Sequence, residues 1–149
     1  AKNAIKWLAQ QDFVNEDSIY VFGHSIGGGL SLSLTLHDDV PILLGGSYAG
    51  IYDINTFEYW YGEDKNQVPF DYHDDMETSL RLPIYYLEWM ERKHFMYIGT
   101  DDYYKENKAF VLEDLYPNKK IRMEFVEVEG NHFSSLDHSI DAFIKQIEP

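Results

Sequence analysis

The spacing of apolar positions changes several times along the chain, and each change marks an element. Ala4, Ile5, Trp7 and Leu8 recur at helical spacing, which predicts an amphipathic helix over residues 2–11. After the polar break Asn15-Glu16-Asp17, the β-rich run Ser18-Ile19-Tyr20-Val21-Phe22 stops at Gly23 and predicts a short buried strand. Leu30, Leu32, Leu34 and Leu36 alternate, which taken alone favours a strand. The Gly-rich start and the strand before it favour a helix over 26–37 buried on much of its circumference, and we take the helix. Val40-Pro41-Ile42-Leu43-Leu44 ahead of Gly45-Gly46 predicts a second buried strand.

Residues 50–82 carry no clear period but hold Tyr52, Phe57, Tyr59, Trp60, Tyr61, Phe70 and Tyr72. Long connections of this kind in compact domains tend to be lids or binding loops. Packing of an irregular cap and contact with substrate are equally good accounts of these aromatics, with Tyr59 and Trp60 as the candidate substrate contacts. A short helix over 82–91, with Pro83 in its first turn, and a third strand over 94–98 follow. Residues 103–115 then predict a helix, 121–128 a fourth strand near a sheet edge with one wetter face, and 134–147 a closing amphipathic helix. Strands alternating with helices predict an α/β fold: a mostly parallel sheet of about four strands with covering helices and an aromatic-rich lid between the second and third strands.

Composition narrows the chemistry. The 149 residues suit one domain and carry 12 Lys and Arg against 26 Asp and Glu, a formal charge of −14. Such a surface repels phosphate backbones and anionic lipid, so neither nucleic acid nor a membrane is expected as a partner. No apolar run approaches the roughly 20 residues of a membrane span. Cysteine is absent, which excludes disulfides, thiolate metal sites and a cysteine nucleophile. His73, Asp74 and Asp75 lack zinc-type spacing, so no metal site is expected, and the chemistry proposed below needs no cofactor.

Gly23-His24-Ser25-Ile26-Gly27 is a Gly-x-Ser-x-Gly pattern set between a predicted strand and a predicted helix, the context in which it forms a nucleophile elbow. The turn must be tight, so small residues are expected two before and two after the nucleophile, at Gly23 and Gly27. Gly28 and Gly29 are expected to let the helix press on the sheet. Ser25 then sits at a helix N-terminus, where the backbone N–H of Ile26 can meet a developing oxyanion. A serine hydroxyl needs a base, and His132, in Gly130-Asn131-His132-Phe133 after the fourth strand, stands where one is required. His24, His37, His73, His94 and His138 read as surface or packing residues, with His24 aimed away along the turn. The carboxylate that orients the base falls in Gly99-Thr100-Asp101-Asp102 after the third strand; Asp102 is preferred and Asp101 is the alternative.

With these motifs in place the chain resembles the C-terminal half of the catalytic domain of the prolyl-oligopeptidase family, an α/β-hydrolase fold of serine peptidases and related esterases. The stretch from Asp17 to Gly28 carries the resemblance, with Leu82-Pro83-Ile84-Tyr85, Gly99-x-x-Asp102 and Gly130-Asn131-His132-Phe133. Leu82 and Asn131 depart from the residues usual at their positions. The resemblance implies an α/β-hydrolase catalytic domain over residues 1–149 that transfers an acyl group from a small peptide or ester substrate to Ser25 and then hydrolyses it. A carboxylesterase or deacetylase of the same fold is the near alternative, and a non-catalytic domain that keeps the fold is a further one. It also implies that the first strands and the second oxyanion donor precede Ala1, so that the chain alone is weakly active or inactive. An exposed sheet edge near residues 18–23 would then invite self-association.

Overall fold

A computed structural model describes residues 1–61, 70–102, 105 and 121–148, apart from the side chains of residues 55, 59 and 60. Four strands, β1 (Tyr20–His24), β2 (Leu44–Tyr48), β3 (His94–Gly99) and β4 (Met123–Val128), form one parallel sheet in the order β1-β2-β3-β4. Among the described residues the helices are α1 (Lys2–Leu8), α2 (Ile26–Leu36), α3 (Ile54–Tyr61), α4 (Asp75–Ser79) and α5 (Leu136–Ile147). Residues Glu16–Ser18 and Pro83–Trp89 are 3₁₀ turns. This is a partial α/β-hydrolase fold, with every strand running the same way so that their C-terminal ends share one rim.

Alternation along β3 divides the core into two layers. Met96 joins Leu32 of α2, Leu87, Met90, Ile121 and Met123 on one face. Phe95 and Tyr97 point to the other, where Phe143 of α5 packs with Tyr48. Phe143 also lies 5.2 Å from the ring of Phe22, so truncating it to Ala would cost about 3–5 kcal/mol. α5 is strongly amphipathic because its other face meets solvent. α2 is apolar nearly all round, and its leucine alternation is incidental to burial on one side and a cavity on the other.

The second strand departs from expectation. Val40 and Ile42 do not enter the sheet; they pack with Leu34, Ile5 and Val21 beneath α2. The strand begins at Leu44, where the predicted one ends, and runs on through Gly45 and Gly46 to Tyr48. A Cβ on Gly45 would sit 2.0 Å from Thr35 Oγ1 of α2, and one on Gly46 would sit 2.6 Å from the Phe143 ring of α5. Glycine here marks helices pressing close on both faces of a central strand, not a break in it. Residues 50–82 also hold more regular structure than their lack of period suggests, namely α3 and the short α4, which Asp74 caps through the N–H groups of Met76 and Glu77. The expected helix over 82–91 is the 3₁₀ turn Pro83–Trp89. The expected helix over 103–115 lies outside the described residues except for Lys105. Among the described residues no helix is long and apolar enough to cross a membrane.

One buried polar chain ties the layers together, and its proton order follows from its ends. Thr35 Oγ1 gives its only proton to the Ser31 carbonyl (2.9 Å), so it must accept from His94 Nδ1–H at 3.0 Å. His94 Nε2 is therefore an acceptor for the Ser47 hydroxyl at 2.8 Å. Ser47 Oγ in turn accepts from Tyr52 O–H (2.8 Å), whose oxygen accepts the Gly50 N–H (2.9 Å). Burial pushes the His94 imidazole down to about 3, which keeps it neutral and every member of the chain satisfied.

Candidate active site

β1 ends at His24, and the chain turns at Ser25 straight into α2. Ser25 adopts φ 56° and ψ −121°, a conformation that costs a non-glycine residue about 1–3 kcal/mol and persists only when its surroundings enforce it. They do so here. The Ser25 N–H donates to the Tyr48 carbonyl at 3.0 Å, and the Ser25 carbonyl accepts from Gly28 N–H (2.9 Å) and Ile51 N–H (3.3 Å). Its side chain makes no helix-capping hydrogen bond, so the hydroxyl is not consumed in holding α2. Ile26, 63% exposed, is the first residue of α2, and its N–H belongs to the first turn, which has no acceptor within the helix.

The glycines around the turn divide unevenly. A Cβ on Gly23 would lie 1.9 Å from the Gly27 carbonyl oxygen, so Gly23 is a steric necessity. A Cβ on Gly27 would meet nothing within 4 Å among the described residues, which corrects the expectation that both flanking positions must be small. Gly28 and Gly29 press on the loop after β2 rather than on the sheet: a Cβ would stand 2.7 Å from Gly50 Cα and 2.2 Å from the Ile51 carbonyl oxygen, respectively.

Two further loops reach the same rim. After β3, the turn at Thr100 to Asp102 is stitched to the loop after β4: Thr100 N–H donates to the Val128 carbonyl (2.8 Å) and Asp101 N–H to the Gly130 carbonyl (2.9 Å). This pairing directs Asp102 inward and leaves the Asp101 side chain in solvent. Asp102 is 1% exposed and His132 7% exposed, with His132 Nδ1 at 3.2 Å from Asp102 Oδ2. A carboxylate only accepts, so in the neutral imidazole Nδ1 carries the proton and Nε2 presents its lone pair. Asn131, a departure from the family pattern, shapes the histidine loop: its side-chain oxygen accepts from Phe133 N–H (3.0 Å) and Ser134 N–H (3.1 Å).

Two residues at this rim were not legible as site residues in the sequence. Tyr48, fully buried at the end of β2, puts its hydroxyl 3.2 Å from Asp102 Oδ2 and 2.7 Å from the Asn131 carbonyl. Burial first, and then the nearby Asp102 charge, pushes that phenol up to about 12, so it acts as a neutral donor. His24, expected to point away, turns toward the histidine loop instead. Its Nε2 lies 2.9 Å from the His132 carbonyl and its ring 4.8 Å from the His132 ring, while it stacks on Tyr48 at 5.3 Å. Burial and the adjacent His132 imidazole lower the pKa of His24. His24 and Tyr48 lie beyond Phe22 and Leu44, where the sequence predicts the first two strands to end, so no local pattern marks them as site residues.

Among the described residues no hydrogen bond joins Ser25 Oγ to His132. Contacts of this kind are often long in unliganded sites and tighten when substrate binds. The residue before Ser25 bonds the backbone of His132, which ties the elbow to the histidine loop. Tyr59 and Trp60 belong to α3, but their side chains lie outside the described residues.

A cavity of about 390 Å³ opens beside the elbow, lined among others by Ile26, Leu30, Ile51, Phe57, Phe70 and Pro83. Arg81 is its charged member. Its guanidinium is matched by Glu77 at 2.7 Å and lies over the Phe70 ring at 4.7 Å. A second cavity of about 380 Å³, between the far end of α2 and Trp89, lies away from Ser25.

No individual curated protein matches the sequence significantly. Among solved structures, the chain is similar to Pyrococcus horikoshii acylaminoacyl peptidase, with a TM-score of 0.69 and 14% identity over 95% of this chain and 24% of that one. It is likewise similar to the fluorophosphonate-binding serine hydrolase F of Staphylococcus aureus, with a TM-score of 0.71 and 13% identity over 97% of this chain and 60% of that one. The capsule O-acetyltransferase of Neisseria meningitidis serogroup A gives a TM-score of 0.70 and 18% identity over 99% of this chain and 63% of that one. At these identities the likeness is one of fold, and the chain spans less than two thirds of each of these proteins. The family model of the prolyl oligopeptidases matches residues 2–123, taking in the elbow and the Asp102 turn and ending before the histidine loop. The chain belongs to the prolyl oligopeptidase family, on an α/β-hydrolase sheet whose strand ends gather Ser25, Asp102 and His132 along one rim.

Proposed function

We propose that the protein is a serine hydrolase in which Ser25 attacks an acyl carbonyl, His132 accepts its proton and Asp102 orients the imidazole. The observation that carries this reading is the buried Asp102–His132 pair at 3.2 Å, set against a strained serine elbow on the same rim. As Ser25 Oγ bonds to the carbonyl carbon, its proton passes to His132 Nε2, and the Nδ1–H bond to Asp102 stabilises the imidazolium. The negative charge that gathers on the carbonyl oxygen is met by the Ile26 N–H at the positive end of α2. His132 then gives the proton to the departing amine or alcohol, and water repeats the sequence on the acyl-enzyme to free the acid and restore Ser25.

The cavity beside Ile26 suits an uncharged apolar group next to the scissile bond, since the Arg81 charge is already countered by Glu77. Family membership favours a peptide bond over an ester. Labelling with a fluorophosphonate probe tests the nucleophile: Ser25 should be modified in the chain, and Ser25→Ala should abolish the adduct. A wild-type protein that stays unlabelled would favour a domain that keeps the fold without the chemistry. Rates on aminoacyl amides against short acyl esters then separate peptidase from esterase.

A further inference from the structure

The histidine loop must be held at a set distance from the elbow, and its internal bonds do not do this. The Asn131 turn and the Ser135 hydroxyl, which donates to the Glu129 carbonyl at 2.8 Å, shape the loop from within. Bonds from Thr100 and Asp101 tie it to β3. Toward β1 and β2, where the nucleophile sits, the described residues supply two contacts to consecutive backbone carbonyls: His24 Nε2 to that of His132 at 2.9 Å, and the Tyr48 hydroxyl to that of Asn131 at 2.7 Å. A carbonyl can only accept, so His24 Nε2 carries a proton in both charge states of the ring, and the bond survives titration. The same fact prevents that nitrogen from acting as a base. The ring is confined by Tyr48 stacked at 5.3 Å, by the edge of Phe133 at 6.3 Å and by His132 at 4.8 Å, so its Nε2 has little freedom to leave the carbonyl.

We propose that His24, assisted by Tyr48, is a positioning residue that clamps the backbone of the histidine loop to the strand carrying the nucleophile. His24 is bonded covalently to Ser25 and by hydrogen bond to His132, so the clamp is the shortest route by which one group's place determines the other's. The inference rests on the reading of His132 as the base and adds a reason for the residue before the serine. No group is transferred; the clamp acts through geometry, and a misplacement of about 1 Å can cost up to roughly 10²-fold in rate.

Three substitutions separate the clamp from mere packing. His24→Gln keeps a side-chain N–H near the position of Nε2, His24→Leu keeps bulk without a donor, and His24→Asn keeps a donor too short to reach. Two readouts are taken on the full chain: the imidazole NMR titration and chemical shifts of His132, and the rate of fluorophosphonate labelling of Ser25. His24→Leu and His24→Asn should move the His132 resonances and slow labelling by about 10- to 100-fold, while His24→Gln returns both to within about threefold of wild type. Tyr48→Phe should give a smaller change in the same direction. Should His24→Leu not fold, the contrast between Gln and Asn carries the test alone. Unchanged His132 resonances and labelling in His24→Leu, or in His24→Asn, overturn the clamp. If wild type is never labelled yet His24→Leu still displaces the His132 signals, the hydrolase reading fails and the clamp stands.

Discussion

Asp102 and His132 meet through Oδ2 and Nδ1 at 3.2 Å with both side chains buried, while Asp101, one residue earlier, faces solvent. The turn after β3 decides this, because the Asp101 N–H is spent on the Gly130 carbonyl and its side chain is thereby directed outward. Asp102→Asn should therefore cost about 10⁴-fold in turnover or labelling rate by reversing the donor that His132 requires. Asp101→Asn should stay within a few-fold of wild type. A reversed ranking in the same assay would transfer the acid to Asp101.

The two elbow glycines should answer differently to a methyl group. Gly23→Ala forces a Cβ into the Gly27 carbonyl and should displace Ser25, abolishing labelling and lowering the melting temperature. Gly27→Ala has open space among the described residues and lies within α2, where alanine is favoured over glycine by up to about 1 kcal/mol. Thermal unfolding of the two variants, side by side, checks the contrast.

His94 should make stability depend on pH. Its imidazole titrates near 3 in the folded protein and near 6.5 when unfolded, so the unfolded chain binds the extra proton first as pH falls. The stability it contributes is complete above about 6.5 and is lost as pH drops toward 3. Between pH 7.5 and 5 that loss amounts to about 2 kcal/mol. Denaturant unfolding of wild type and His94→Asn at the two pH values should show the wild type losing more by that amount. Parallel losses would show that His94 is not the group responsible.

Tyr97 is buried in β3, and its hydroxyl has no hydrogen-bond partner among the described residues. A buried unpaired hydroxyl costs about 1–3 kcal/mol. Tyr97→Phe should accordingly leave stability unchanged or raise it, as read by the midpoint of denaturant unfolding, while Phe95 and Phe22 keep their ring contacts. A loss above about 1 kcal/mol would mean that the hydroxyl has a partner, such as a buried water.

Local pattern was enough for the parallel α/β architecture, for the turn at Ser25 and for the loops that carry Asp102 and His132. These features depend on neighbours in the chain: a β-rich run into glycine, a glycine-rich helix start, and a short loop after each strand. The place of β2 was not determined locally, because Gly45 and Gly46 are small on account of Thr35 in the preceding helix and Phe143 in a helix nearly a hundred residues on, and only the tertiary fold brings either against the strand. Nor was the choice of Asp102 over Asp101, which depends on a backbone bond to Gly130 that no local pattern displays. Tyr48 and His24 became visible only when parallel pairing set the ends of β1 and β2 side by side beneath the histidine loop. The sequence by itself singled out the groups to which we assign the chemistry. Tertiary packing alone decided their aim, because a side chain's direction at a strand end is set by the neighbours it must avoid and the carbonyls it must satisfy.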